Sequence, residues 1–370
     1  MNDTNHDTTT NRLESLFLKF TKSGRFPNAV LRLESGSRDF SRSFVYGKPG
    51  TDDSLTPRDD SPYFIASVTK IFTAAAVLLL QERGRLNLDD PLNRFLDEKQ
   101  IQGIHVWKGE DLSPRLKIHH LLAQTSGLAD YFEQKNERGE SILTGILRDG
   151  DREWNLDDVL ALLKNSLQPK FPPAPEPGAG RKAFYSDSNY QLLGAILENI
   201  HEKSLGAIFQ EEFFGPLEMN QTYLFGDDAT DQKRESPLPI YIKDNVLDIP
   251  GAMKSFGPDG GIVSNAPDQI RFLRALFGGK VFRKSETLDG MQGWNRIFFP
   301  LEYGLGLMRY KLPRIFSPFQ AIPAFLGHSG ASASFAFYCP ERNFYAAGTF
   351  NQLGAPDAPF KLLPRLSRLF

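Results

Sequence analysis

Leu13, Leu16, Phe17 and Phe20 recur at the spacing of one helix face, so a short amphipathic helix opens the ordered chain. The eleven residues before it, MNDTNHDTTTN, are polar throughout and read as a disordered tail, residues 1–11. Two runs follow, AVLRLES and FSRSFVYG, separated by a turn at Gly36-Ser37, the signature of a β-hairpin. The polar, Pro-containing segment Lys48 to Pro62 is expected to be a loop. From Phe64 the pattern changes: FIASVTKIFTAAAVLLLQERG predicts a buried helix that begins near Ser67 and stops at Gly84, a glycine placed to cap its end.

The middle of the chain is mostly helical in pattern. LKIHHLLAQ, LDDVLALLKNSL and SNYQLLGAILENIHEK each carry helix-like spacing. QPKFPPAPEPGAG, from Gln168 to Gly180, is too rich in Pro and Gly for regular structure and reads as a long loop ending just before YSDSNY. In the C-terminal third, SFGPDGGIVS is a Gly-rich turn or strand and PDQIRFLRALFGG a helix closed by glycine. EYGLGLMRY, SASFAFYC and FYAAGTF alternate and are aromatic-rich, as strands are, the last two joined by a tight turn from Pro340 to Asn343. Strands at both ends with helices between predict an α+β fold: one antiparallel sheet built from both termini, flanked by helices, with a mostly helical insertion. The expected division is a sheet domain of residues 12–66 plus 255–370 and a helical domain of residues 67–254, with the site at their junction.

Bulk composition narrows the function. The 370 residues carry 43 Lys and Arg against 45 Asp and Glu, a net charge of −2 with no basic stripe, which argues against nucleic acid as a partner. The longest apolar run, Ile71 to Leu80, is shorter than the roughly 20 residues needed to span a bilayer. The N-terminus lacks the basic and apolar stretches of a secretory signal, and Cys339 is the only cysteine, so a cytoplasmic protein without an intrachain disulfide is expected. His119 and His120 are adjacent on a helix, so one of them is expected to face inward, and His105 and His201 read as surface or boundary residues. None has a second ligand at metal spacing, and neither a phosphate-binding loop nor a dinucleotide fingerprint is present; no metal and no cofactor are expected.

One pair of residues poses a chemical question. Ser67 and Lys70 stand three residues apart, close enough on a helix for their side chains to touch. Ser67 lies in the first turn, where free N–H groups favour developing negative charge. Serine becomes a nucleophile only when a neighbour takes its proton, and lysine can do this only if its pKa falls from ~10.4 toward neutrality. The chain has no G-x-S-x-G elbow, which excludes the usual α/β-hydrolase arrangement.

Ser67-Val68-Thr69-Lys70 is followed, in order, by HHLLAQTSGL, PGAGRKAFYSDSNYQLLG, GPDGGIVSNAPDQIRFLRAL, YGLGLMRY and GHSGASASF. This ordered set, covering roughly residues 12 to 350, resembles the serine β-lactamase superfamily, most closely class C β-lactamases and their relatives: family VIII carboxylesterases, DD-peptidases and D-aminopeptidases. The resemblance implies a penicillin-binding/β-lactamase fold and an acyl-enzyme on Ser67. Tyr185 would share proton movement with Lys70, its own pKa drawn down by the lysine. The backbone N–H groups of Ser67 and Ala331 would hold the oxyanion. Where the family's second motif ends in asparagine, this chain has Asp187, which can only accept; it is expected to bond Lys70 and hold it charged, shifting base duty toward Tyr185. Where many members have Lys-Thr-Gly, this chain has His328-Ser329-Gly330 at an expected strand start. His328 would be mostly neutral and recognise a substrate carboxylate weakly. Gly330 would let substrate lie close to the strand. Thr125-Ser126-Gly127 is assigned a packing role beneath the site, and Tyr131, Phe132 and Phe171 to Pro173 are candidates for an apolar acyl pocket. The implied partner is a small-molecule ester, with amide, lactam and acyl-transfer chemistry as alternatives, in a monomer or homodimer.

Overall fold

The computed structural model describes residues 2–47, 56–174, 178–228, 234–316 and 321–370, with side chains from residue 8 onward. Lys48 to Leu55 and Pro175 to Pro177 of the expected loops therefore lie outside the described residues. The opening helix α1 runs Asn2–Gly24, so the segment expected to be a disordered tail is the first part of this helix. Leu13, Phe17 and Phe20 are buried and anchor it, and residues 2–12 contain neither Pro nor Gly to break the helix ahead of that anchor.

Among the described residues the main sheet has eight strands. They are β1 (Asn28–Ser35), β2 (Ser41–Gly47), β3 (Asn295–Phe298), β4 (Leu301–Tyr303), β5 (Met308–Tyr310), β6 (Phe325–Ser329), β7 (Phe335–Cys339) and β8 (Phe344–Thr349). Their order is β3-β4-β5-β6-β7-β8-β1-β2, and every neighbouring pair is antiparallel. The hairpin from the N-terminal end is thus completed by the last strand, with Val30 opposite Thr349 and Ser35 opposite Phe344. The sheet is antiparallel and drawn from both ends of the chain, as the α+β reading expects.

Successive residues of a strand face opposite sides, and this assigns the helices. Phe44, opposite Leu31, meets Phe17 of α1 on one face. Glu34, opposite Tyr345, meets Arg274 of a helix spanning Ala266–Phe277 on the other; its guanidinium lies over the Tyr345 ring.

The intervening chain carries the helices that position the chemistry. Helix α2 (Thr69–Glu82) is buried from Thr69 to Leu80, and Gly84 follows it with φ +68°, the left-handed cap that its sequence predicts. Helix α3 (Ser188–His201) packs against it. Phe72 of α2 stacks on Phe272 at 3.8 Å and meets Phe213 and Phe214 edge-on. This aromatic knot joins α2 to the helix on the sheet, so it fixes the site's main helix relative to the strands. No helix among the described residues is long and apolar enough to cross a membrane.

Removing the central ring tests that coupling. Phe72→Ala is expected to cost about 3–5 kcal/mol, the usual range for deleting a buried aromatic, read as a lower midpoint in urea unfolding.

Candidate active site

The turn ahead of α2 is tight. Ala66 adopts φ +46°, a conformation that residues with a Cβ rarely occupy, and a short 3-10 turn over Ala66–Val68 leads into the helix. Ser67 therefore sits in this turn rather than in the α-helix proper, partly exposed at its mouth. The turn is braced from the sheet: Ser334 Oγ donates to the Ile65 carbonyl at 2.7 Å, and Ser332 Oγ to that of Phe64.

Lys70 is completely buried one turn on. Its Nζ donates to Ser67 Oγ (3.0 Å) and to the backbone carbonyl of Asp259 (2.6 Å), and pairs with Asp187 Oδ1 (2.8 Å). An ammonium has three N–H donors; two are hydrogen-bonded here, and Asp187 Oδ1 faces the charge across an ion pair without closing a bond of ordinary geometry. Burial opposes the charge, but Asp187, then Tyr185 and Asp259, overcome it and hold the Lys70 pKa above its ordinary value. Lys70 is a locked cation, as the aspartate at position 187 predicts.

Tyr185 lies beside the pair, its ring 5.2 Å from Lys70 Nζ. Its hydroxyl is buried near Ser67 and Lys70 but closes no hydrogen bond of ordinary geometry. The expected fall of its pKa does not occur. Burial outweighs the pull of Lys70, Asp187 adds to burial, and the phenol is held above its ordinary value. A shift in that direction favours the protonated, donating form of Tyr185.

Asp187 belongs to a wider buried network. Its N–H donates to Asp130 Oδ1 (2.8 Å), while Asp130 Oδ2 accepts from the N–H of Glu133. Asp259 Oδ2 accepts from the Tyr131 hydroxyl and from Gln191, each at 2.9 Å. Burial first, then the charge of Asp187, raise the Asp130 and Asp259 carboxyls above the ordinary carboxylate range. Sequence reading missed Asp130, Asp259 and Gln191, because an acid in a Gly-rich turn looks like a surface turn residue. Thr125-Ser126-Gly127 has the packing role assigned to it: Ser126 Oγ donates to Asn189 Oδ1 at 2.6 Å, and Gly127 (φ +72°) leaves no room for a side chain beside the Phe171 carbonyl.

Four expectations are corrected. His328 and Ser329 end strand β6 rather than start it. His328 is fully buried; Nδ1 donates to the Ser329 carbonyl (2.7 Å), leaving Nε2 as an acceptor 3.3 Å from the Tyr303 hydroxyl. Its ring is enclosed beside Tyr303 and has no surface open to solvent. Gly330 is required for a different reason from the one expected: a Cβ there would stand 2.7 Å from Ala66 Cβ and 2.9 Å from the Ile65 carbonyl, so glycine lets the strand end abut the nucleophile turn. Tyr131 and Phe132 pack with Trp154 and Phe256 in the core rather than lining an acyl pocket. His105, His119 and His120 are all buried; His105 Nε2 reaches the Ser126 and Phe171 carbonyls and His120 Nε2 that of Ala174, tying the Pro-rich loop to the floor of the site. Ala331, next after Gly330, is partly exposed, and among the described residues its N–H has no acceptor in the backbone pairing. That is the condition an oxyanion donor needs.

Two outcomes follow from this packing. Gly330→Ala is expected to lower kcat at least ~10²-fold, on the scale of losing one oxyanion donor, because the turn bearing Ser67 must move. Burial and then the charge of Lys70 push the His328 pKa down to about 3. The unfolded chain, with histidine near ~6.5, therefore binds a proton that the folded one refuses between those values, and stability falls as pH drops below ~6.5. His328→Gln is expected to flatten that loss by up to about 1.4 kcal/mol per pH unit, read from urea midpoints at pH 7 and 5.

Known proteins place this geometry. The family model described as Beta-lactamase matches residues 13–367. Penicillin-binding protein 4* of Bacillus subtilis (strain 168) is 26% identical over 308 residues, 76% of this chain and 62% of that protein. Protein flp of Staphylococcus aureus (strain MW2) is 27% identical over 240 residues, 62% of this chain and 43% of that protein. The chain thus spans less than two thirds of the length of these relatives. A D-stereospecific amidohydrolase from Streptomyces sp. superposes with a TM-score of 0.73 at 26% identity, covering 96% of this chain and 97% of that one. The D-amino acid amidase from Ochrobactrum anthropi SV3, complexed with L-phenylalanine amide, superposes with a TM-score of 0.76 at 19% identity over 98% of each chain, a likeness of fold. With its antiparallel sheet, its Ser67–Lys70 contact and a family match running nearly end to end, the chain belongs to the Beta-lactamase family.

Proposed function

We propose that the chain is a serine hydrolase that forms an acyl-enzyme on Ser67 and acts on small carboxylic esters, in the manner of the family VIII carboxylesterases. The observation that carries the nucleophile is the 3.0 Å contact between Ser67 Oγ and the buried Lys70 Nζ. Ser67 attacks the substrate carbonyl, the N–H groups of Ser67 and Ala331 hold the oxyanion, and Tyr185, kept as a phenol, hands a proton to the leaving group. Water then releases the acyl group.

Two departures support an ester over a penicillin or a peptide. His328 is buried and neutral where other members carry a lysine, so this position supplies no cation for a substrate carboxylate. Asp187 spends one oxygen on Lys70 and has no amide donor to offer an acyl-amide carbonyl. An alcohol also leaves more easily than an amine, which suits a site whose proton donor is a high-pKa phenol.

A second reading is an amidase or esterase for substrates that carry a free amino group. The partly exposed carboxylate of Asp187 (13%) and nearby Glu133 form an acidic rim suited to an ammonium. The likeness to the D-stereospecific amidohydrolase points the same way.

The deciding assay compares kcat/KM for p-nitrophenyl acetate and butyrate with that for nitrocefin and a D-alanyl amide. Ester turnover is expected to dominate and to vanish in Ser67→Ala, with Tyr185→Phe losing at least ~10²-fold in kcat. Dominant D-alanyl amide turnover would replace the ester reading with the second one. Full activity in Ser67→Ala would move the nucleophile elsewhere.

A further inference from the structure

Lys70 cannot take the proton of Ser67 as it stands. Its Nζ donates to Ser67 Oγ and to the Asp259 carbonyl and is ion-paired with Asp187 Oδ1 at 2.8 Å. An ammonium has no lone pair, so it can accept a proton only by giving one up. Of the three acceptors, Ser67 is the source of the incoming proton. The Asp259 carbonyl is an amide oxygen, too weakly basic to hold one. Asp187 Oδ1, at 2.8 Å, is a carboxylate. The other titratable neighbour of the serine, Tyr185, closes no hydrogen bond of ordinary geometry through its hydroxyl, so no contact hands it the serine proton in this arrangement.

We propose that Asp187 is the terminal proton acceptor of the reaction, forming a Ser67–Lys70–Asp187 relay in which lysine passes a proton on rather than serving as a free base. The proposal rests on the reading of Ser67 as nucleophile. As Oγ bonds to the carbonyl carbon, the electrons of its O–H bond form the new C–O bond and the carbonyl π pair moves onto oxygen. Nζ gives the proton it holds toward Asp187 to Oδ1, keeping the electrons of that N–H bond as a lone pair; rotation about Cε–Nζ turns the pair toward Ser67 Oγ, and it takes the serine proton as the C–O bond forms. Lys70 is an ammonium before and after this step. One negative charge moves from Asp187 to the oxyanion. On collapse, the Tyr185 hydroxyl gives its proton to the leaving group and is refilled from Nζ, and the proton on Oδ1 returns to Nζ. Lys70, Asp187 and Tyr185 are then as they began, and Ser67 carries the acyl group that water goes on to release.

The surroundings suit an aspartate that gains and loses a proton. The partly exposed carboxylate of Asp187 pairs with Lys70 and has the buried carboxyl groups of Asp130 and Asp259 beside it, with Glu133 as a further acid nearby. Transfer from Nζ to Oδ1 therefore moves positive charge toward an excess of acid. The relay also fits the shape of the site: Asp187 is held from behind, its N–H on Asp130, at the turn that presents Tyr185 two residues earlier.

Asp187→Asn keeps an oxygen for Lys70 but cannot store the proton. Acylation by p-nitrophenyl butyrate, followed in the pre-steady state, is expected to fall at least ~10²-fold at pH 7. The ascending limb of its pH profile should move to higher pH, because Lys70 must then lose its own proton. The proton inventory in mixed H2O and D2O should change from the curvature of two moving protons to the straight line of one. Asp187→Glu, which restores a carboxylate, should return the limb toward its wild-type position. A purely structural role would lower the rate without moving the limb or the inventory, and that result overturns the relay, as does an Asp187→Asn enzyme of near wild-type rate. Thermal melts of both variants identify any loss that is merely unfolding, and the Glu variant then decides by its limb. Ser67→Ala separates the two claims: turnover surviving in it removes the nucleophile itself, whereas an unmoved limb in the Asp187 variants with a silent Ser67→Ala removes only the relay.

Discussion

A lysine ammonium with no access to water must find three acceptors inside the protein, and the architecture around Lys70 answers that demand. One acceptor comes from its own first turn, one from a Gly-rich turn 189 residues later, and one from the start of α3. Leaving a buried charge unpaired costs several kcal/mol. The cation therefore fixes the relative positions of α2, α3 and the turn leading to the strand Ile262–Ser264 more firmly than apolar contact would. Hydrophobic packing brings these elements together; the ammonium makes their arrangement specific. The same three contacts that stabilise the charge aim it at Ser67, so the folding constraint and the chemistry share their atoms.

The acids around the lysine act in the opposite sense. A single cation cannot neutralise three carboxyl groups in a low-dielectric interior, and the raised pKa values of Asp130 and Asp259 express that shortage. Tyr131 and Gln191 share the task by donating to Asp259. Asp259 in turn belongs to the loop whose carbonyl holds Nζ. Side chains that carry no reactive role thus determine how well the reactive ones are held.

The repeat patterns of the sequence reveal the sheet-forming segments and most helices, because an eight-residue strand such as β1 or a fourteen-residue helix such as α2 carries its own periodicity. Asn295–Phe298, exposed at the sheet edge, has too short and too polar a pattern to declare itself, and Ala358–Leu366 hides behind Pro364. Ser67, Lys70 and Tyr185 were legible as an ordered set of motifs, and Asp187 as a departure from one. The reasons for particular residues were less so. His328 and Gly330 look like substrate contacts in the linear motif, yet what determines them is the space beneath and behind the strand, which depends on Tyr303, Ala66 and Ile65. These partners are distant in sequence, so no local pattern encodes them. Likewise, the buried His120 finds its partner, the Ala174 carbonyl, on a loop that arrives more than fifty residues later.

The completion of the N-terminal hairpin by β8 has a further consequence, one of timing. Asn28 reaches its partner Asn351 across 323 residues, and Ser334 braces the nucleophile turn across 269. A ribosome that has made β1, β2 and all of α2 has made the nucleophile, but not the strand that supports it or the N–H that would complete its oxyanion hole. During synthesis the early hairpin must wait with an unpaired edge, a hazard for aggregation. The turn that bears Ser67, however, lacks its brace until the final strands emerge. A chain that stalls before β6 has neither Ser334 nor the strand end at Gly330, so the surroundings of Ser67 are completed late and all at once.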